Sequence, residues 1–275
     1  FTVYELTLKK MRNLNKSRFI TSVLLICSIT FIVFKNLSAS SNFFSTTQLL
    51  ISQYLGWFII LTANSFLFFS IYLVFTRYKN IKLGGLNAEP AFSYSNWIAM
   101  LFSAGLGIGL LFYGVAEPIG NLNDYPEMVD DNLSYNASKA LSLTNLHWGL
   151  HGWAVYAALG LCFAFSSYNK KKAFRVSSLL GERIENNKPI AALIDIVAIL
   201  TTVIGIATSL GLGASQINGG LDYVFDIQIN EFVIIVLITL LGLLSVSLGL
   251  DAGIKRLSQL NMVIAVSLLI LIFLL

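Results

Sequence analysis

Seven stretches of the chain are apolar continuously enough to cross a bilayer, a task that takes about 20 mostly apolar residues in a helix. They run over residues 19–35, 53–76, 95–115, 138–166, 190–217, 231–250 and from 260 onward. Unbroken runs predict helices and exclude a closed β-barrel, whose strands alternate between lipid-facing and lumen-facing side chains. The first run is not a cleaved leader: its core is long, no small-residue cleavage site follows, and Lys35 and a Ser-rich loop come next. The final run stops at Leu271–Leu275 without the Trp, Tyr, Lys or Arg that anchor a span at the interface. The chain therefore reads as a fragment truncated at its C-terminus. Met11 is a more natural start than Phe1, and the residues before it read as spurious.

Between the spans, charge sorts by side. Lys9, Lys10, Arg12, Lys16 and Arg18 precede the first span, and Arg77, Lys79 and Lys82 follow the second. Lys170, Lys171, Lys172, Arg175, Arg183 and Lys188 follow the fourth, and Lys255 and Arg256 fall between the sixth and seventh. These are 16 of the 18 basic residues; Lys35 and Lys139 alone lie on the opposite side, with the acidic loop Asp124, Glu127, Asp130 and Asp131. Positive charge is retained in the cytoplasm, which predicts a multi-pass protein of the cytoplasmic membrane with its N-terminus inside. The net charge of +4 is thus loop charge. No nucleic-acid partner is implied, because no aromatic residues interleave Lys170–Lys172 to stack on bases.

Composition agrees with an all-α polytopic membrane protein. Hydrophobic residues make up 56% and charged residues 12%, where soluble domains carry roughly 25% charged; mean hydropathy is +0.75. Cys27 and Cys162 sit in apolar runs and form neither a disulfide framework nor a metal pair. An intramembrane enzyme would need a catalytic set at membrane depth. The membrane acids Asp195 and Asp251 assemble none, and no cofactor is implied.

Two spans carry unusual patterns. In the third, Ser103-Ala-Gly105-Leu-Gly107-Ile-Gly109 places three glycines where each costs about 1 kcal/mol relative to alanine in a helix. Gly105 and Gly109 could serve close helix packing. Gly107 lies about 200° around the helix from both, counting 100° per residue, so one packing face does not account for all three. The alternative is a locally unwound stretch whose freed backbone groups hold an ion or substrate, as in broken transporter helices.

The fourth span carries His147-Trp148-Gly149-Leu150-His151-Gly152-Trp153-Ala-Val-Tyr156. With Trp148 at the origin of a continuous helix, Tyr156 falls at about 80° and Trp153 at about 140°, with Gly152 and Gly149 between them. Three π faces separated by absent side chains suit a quaternary ammonium group, which binds by cation–π attraction. The alternative is an interfacial aromatic belt, weakened by the depth of Trp153 and Tyr156 in the span. His147 and His151 fall at about −100° and −60°, away from the arc. They lack the Glu of HExxH and a third ligand, which weighs against a metal or haem role and favours packing and helix–helix hydrogen bonding, with proton handling as the other alternative.

These stretches together closely resemble the betaine/carnitine/choline transporter family. The similarity covers Asn96 to Pro118, His147 to Tyr156, Ser209-Leu-Gly-Leu-Gly-Ala-Ser-Gln-Ile-Asn218 and Gly249-Leu-Asp-Ala-Gly-Ile-Lys-Arg-Leu-Ser258. It implies a twelve-span, inverted-repeat fold like that of neurotransmitter sodium symporters. Residues 1–18 would be a cytoplasmic arm, 19–94 two peripheral helices, and 95–275 the first five-helix repeat, with the second repeat absent. The implied activity is ion-coupled import of glycine betaine, choline or carnitine by alternating access, in osmoprotection. Trp148, Trp153 and Tyr156 match the aromatic box, and Gly105, Gly107 and Gly109 the substrate-facing glycine stretch.

The resemblance also implies a homotrimer and candidate sodium positions at the Ser103 and Leu106 carbonyls and at Thr202. Sodium-coupled members carry a second hydroxyl one turn after the Thr202 position, where this chain has Ile206. Sodium, proton coupling and exchange all stay open on sequence. So do transport of another small zwitterion and a non-transporting sensor; the 275 residues alone are expected not to transport.

Overall fold

The computed structural model describes residues 16–124 and 133–275, which form two compact units. Lys9, Lys10, Arg12, Met11, Glu127, Asp130 and Asp131 lie outside the described residues. The first unit comprises Phe1–Ala88 and Asn145–Val203, the second Glu89–Thr144 and Ile204–Leu275.

In the first unit, α1 (Lys16–Lys35) and α2 (Leu37–Phe75) are separated by the single break at Asn36. The Ser-rich segment after Lys35, read from sequence as a loop, is the start of α2. No glycine or proline interrupts residues 37–55, and hydroxyls there satisfy themselves locally: Thr47 Oγ1 donates to the Phe43 carbonyl at 2.7 Å. Polarity hid this helix from a hydropathy reading, although nothing in the sequence breaks it. At 39 residues and 1.5 Å per residue, α2 is about 58 Å long, well beyond the roughly 30 Å of hydrocarbon. After a turn at Arg77–Asn80, the loop is tied down by Asn169: its Oδ1 accepts from the Gly84 N–H at 3.1 Å and its Nδ2 donates to the Lys82 carbonyl at 3.0 Å.

The second unit holds α3 (Tyr94–Gly105), a π-helical stretch (Leu106–Tyr113) and α4 (Gly114–Asp124). Helix α5 (Leu133–Trp148) begins in this unit and ends in the first. It is followed there by α6 (Leu150–Ala164), a π turn (Phe165–Asn169), and the short α7 (Val176–Leu179) and α8 (Glu182–Asn186). Helix α9 (Lys188–Phe225) runs through both units. The second unit closes with α10 (Glu231–Ser247), a π turn (Leu250–Ile254) and α11 (Lys255–Leu274). Helix α10 starts at Asn230, whose side chain accepts from the Phe232 N–H at 2.9 Å and so satisfies one of the free donors of the first turn.

Five helical stretches among the described residues are long and apolar enough to cross a membrane: Arg18–Lys35, Leu37–Phe75, Tyr135–Asn169, Lys188–Phe225 and Leu250–Leu274. Helix α10 is apolar but shorter, and the third expected span is divided by its π-helical centre. Large side chains such as Phe68, Tyr72 and Leu240 point outward, while among the described residues the buried apolar ones are almost all alanine: Ala99, Ala140, Ala154, Ala158, Ala191, Ala214 and Ala265, with Ile234. Lipid is as apolar as leucine, so membrane helices associate through small residues that let backbones approach. The core follows that rule.

Candidate functional site

The fourth span is broken inside its aromatic motif. Helix α5 ends at Trp148, Gly149 adopts φ −86° and ψ −147°, and α6 begins at Leu150. Trp148 is therefore on a different helical segment from the other two rings, and the single-helix arc does not describe all three. Trp153 and Tyr156 do come together on α6, with ring centroids 6.0 Å apart and planes tilted 46°. The glycines serve the break. A Cβ on Gly149 would lie 2.3 Å from the Asn145 carbonyl oxygen, and one on Gly152 would lie 2.5 Å from that of His147. Expected gaps between rings are instead positions where backbone passes too close for any side chain.

Among the described residues no group of three or more His, Cys, Asp or Glu is placed to hold a metal ion. His151 Nε2 lies 3.4 Å from Asn64 Oδ1 on α2, the helix–helix hydrogen bond that the sequence left as one alternative.

In the second unit, Gly105 keeps right-handed helical dihedrals (φ −100°, ψ −16°) and the chain from Leu106 to Tyr113, including Gly107 and Gly109, is a π-helix. The stretch is neither regular α-helix nor coil. Its hydrogen bonds span five residues, as from the Gly114 N–H to the Gly109 carbonyl, and such segments recur at functional sites. Just before it, the Ser103 carbonyl accepts from Asn261 Nδ2 at 3.3 Å, and Ser103 Oγ sits 3.0 Å from Ser258 Oγ. A candidate ion ligand is thus already held by α11 through one of its two lone pairs. Asn261 was not singled out from sequence, although a polar residue at the start of an apolar run is the signal that finds it, and Ser258 entered only as the last residue of the Gly249–Ser258 stretch.

Thr202 stands in the first unit, with its hydroxyl donating to the Ala198 carbonyl at 2.7 Å. It lines an open pocket of about 250 Å³ whose polar end is Arg18, Arg175 and Asp195. Asp195 is the hub of that end. It accepts from Arg18 Nη1 at 2.5 Å, from the Ser177 N–H at 3.1 Å and from Ser177 Oγ at 3.0 Å, with Arg175 Nη1 at 3.8 Å. Helix α1, the start of α7 with Arg175 just before it, and helix α9 thereby share one buried carboxylate.

Next to it, Glu185 accepts from Lys172 Nζ at 2.8 Å and Ser178 Oγ at 3.1 Å. The Lys172 bond holds its carboxyl below the ordinary carboxylate range; burial opposes this, and Ser178 and Arg175 reinforce it. A lowered folded-state pKa stabilises the loop above the unfolded value, and that contribution disappears as pH falls through the folded value. Proteolysis of the loop after α6 should therefore accelerate on acidification, and Glu185→Gln should show the fast, acid-like rate already at pH 7. An unchanged neutral rate in that variant would remove Glu185 from loop stability.

The family model for BCCT, betaine/carnitine/choline family transporter, matches residues 18–275. The chain belongs to the betaine/carnitine/choline transporter family. It is 43% identical over 231 residues to the glycine betaine transporter OpuD of Bacillus subtilis, covering 82% of this chain and 45% of that protein. A glycine betaine transporter of Acinetobacter baylyi is 35% identical, covering 97% of the chain and 41% of the relative. The ectoine/hydroxyectoine transporter of Virgibacillus pantothenticus is 41% identical, covering 75% and 42%. The chain thus spans less than half the length of these curated relatives.

The family is one of transporters rather than enzymes. The kinked α5–α6 and the π-helical centre between α3 and α4 are two places where this chain departs from regular helix inside its distinctive motifs; Gly249 and the π turn at Leu250–Ile254 are a third. The first break falls at Gly149, directly after Trp148 and before Trp153 and Tyr156 on regular α6, and the second takes in Gly107 and Gly109 and starts just after Gly105. The sodium candidates divide between the units, Thr202 in the first unit and Ser103 and Leu106 in the second.

Proposed function

We propose that this chain is part of a secondary transporter that imports a quaternary ammonium compound, glycine betaine before choline or carnitine, across the cytoplasmic membrane. The observation that carries the reading is the adjacent pair Trp153 and Tyr156 on the half-helix after Gly149. A trimethylammonium group has no N–H to donate, so ring faces are its natural partners. Residues 95–275 would form the first inverted repeat, and the N-terminus would lie in the cytoplasm beside the basic loops. Transport requires one ligand to bind outward- and inward-facing states differently, with an ion gradient biasing the cycle. Either Na⁺ or H⁺ would serve as the coupling ion, and assembly as a homotrimer is part of the same reading. The 275 residues alone would not transport.

Trp153→Leu in the full-length carrier should raise the dissociation constant for glycine betaine about 2- to 30-fold, the range of one cation–π contact. Trp153→Phe should cost less, because a weaker π face remains. Trp57→Leu, the same exchange on α2, should leave affinity unchanged. If both Trp153 substitutions only reduce folded protein and affinity per folded molecule stays constant, the rings are packing and not a binding surface. The likeness to an ectoine transporter favours a second reading, another small zwitterion as substrate. Uptake of labelled ectoine that excess betaine does not inhibit would replace the first reading by the second.

A further inference from the structure

The His151–Asn64 contact joins a polar residue in a long apolar helix to the first turn of the ring-bearing half-helix. The Asn64 amide N–H₂ donates to the Ile60 carbonyl at 2.8 Å, which leaves Oδ1 toward His151 as an acceptor. In its Nε2–H tautomer His151 donates to that oxygen. In hydrocarbon neither group finds water, so each is costly without the other.

Counting 100° per residue, His151, Ala154 and Ala158 fall within about 60° of one another on α6, whereas Trp153 and Tyr156 lie about 200° and 140° from His151. Ala154 and Ala158 are buried, while Trp153 and Tyr156 remain exposed. Helix α6 packs on α2, and its buried face is the histidine face. The break at Gly149 uncouples the rotation of α6 from α5, and methyl groups alone give close approach without direction. A hydrogen bond does give direction.

We propose that His151 and Asn64 are positioning residues: their bond sets the rotation of α6 on α2 and so aims Trp153 and Tyr156 toward a quaternary ammonium ligand. The inference rests on the transport reading above. It makes the peripheral helix α2 part of the substrate machinery, although α2 contributes no ring.

The test is a double-mutant cycle on glycine betaine binding by the purified full-length carrier. His151→Leu and Asn64→Leu should each weaken binding about 2- to 10-fold, the size of one hydrogen bond. The double variant should be no weaker than either single, since the bond is lost only once. His151→Gln retains an N–H donor and should bind like wild type, whereas His151→Met, of similar bulk without a donor, should bind like His151→Leu. This Gln–Met pair decides the matter if the leucine variants fail to fold. Singles that match wild type, or a double that multiplies the two effects, would overturn the proposal. A second measurement needs no betaine: the rate at which N-ethylmaleimide labels Tyr156→Cys should change at least threefold when Asn64→Leu is added. An unchanged rate overturns the positioning role even if the substrate is something else, while a wild-type carrier that binds no quaternary amine overturns only the transport reading.

Discussion

Asp195→Ala in the full-length protein should lower thermal stability more than any other single carboxylate replacement, by about 3–5 kcal/mol, the usual cost of stranding one half of a buried ion pair. The side chains of Arg18 and Asp195 are only 14% and 8% exposed. Alanine leaves the Arg18 guanidinium without its closest partner and frees the Ser177 N–H that Asp195 now accepts. Three segments far apart in sequence lose their common anchor together. The pair itself contributes less than its removal suggests, because desolvating two charges offsets much of their attraction. Arg18→Met combined with Asp195→Leu should therefore recover the part of the loss that comes from the stranded Arg18, but not the part from the buried Ser177 N–H and Oγ, about 1–3 kcal/mol for each donor left unpaired. Melting of the detergent-solubilised protein, followed by tryptophan fluorescence, gives all three values. A double variant as unstable as Asp195→Ala would mean that the charge itself is required.

This cluster also marks where sequence reading stopped. Hydropathy and charge located the helical segments, because both signals are local and additive along the chain. Arg18 counted only as one basic residue of the cytoplasmic arm and Asp195 as one membrane acid; 177 positions separate them. Nothing in either neighbourhood specifies the partner. The same holds for Asn64 and His151, which are 87 positions apart. Pairings of this kind arise from helix packing, which a single sequence does not encode in any local pattern.

The motifs themselves were legible, but their local geometry was read with the wrong rule. A constant 100° per residue placed Trp148, Trp153 and Tyr156 on one arc. Gly149 breaks the helix between the first ring and the other two. Glycines stood out correctly as anomalous, and the alternatives of packing and unwinding framed the question for Gly105, Gly107 and Gly109. The π-helix at Leu106–Tyr113 is an intermediate that neither alternative named. It widens the backbone while keeping every residue helical, which is why an apolar run of ordinary length concealed it.

Among the glycines whose surroundings are described, the need for glycine is strictest at Gly253, and Gly253→Ala should all but eliminate folded protein. A Cβ there would lie 1.8 Å from the Ser245 carbonyl oxygen, 2.7 Å from its carbon and 3.1 Å from its Cα. These are backbone atoms of α10, so no side chain can swing aside; the π turn and α10 would have to part by about 1.5 Å to restore ordinary contact. That places the substitution among the few costing more than about 4 kcal/mol. Gly249, four residues earlier, isolates the other way in which glycine matters. Its φ of +80° and ψ of −175° belong to a region that is essentially glycine-only, yet a Cβ there meets nothing within 4 Å. Gly249→Ala should therefore cost only backbone strain, about 1–3 kcal/mol, and leave measurable folded protein in the membrane. The order of the two variants is the test. Gly249→Ala below Gly253→Ala in abundance and melting temperature would mean that the π turn can retreat from α10, and that the close approach at Ser245 is not what the sequence Gly249-Leu-Asp-Ala-Gly253 preserves.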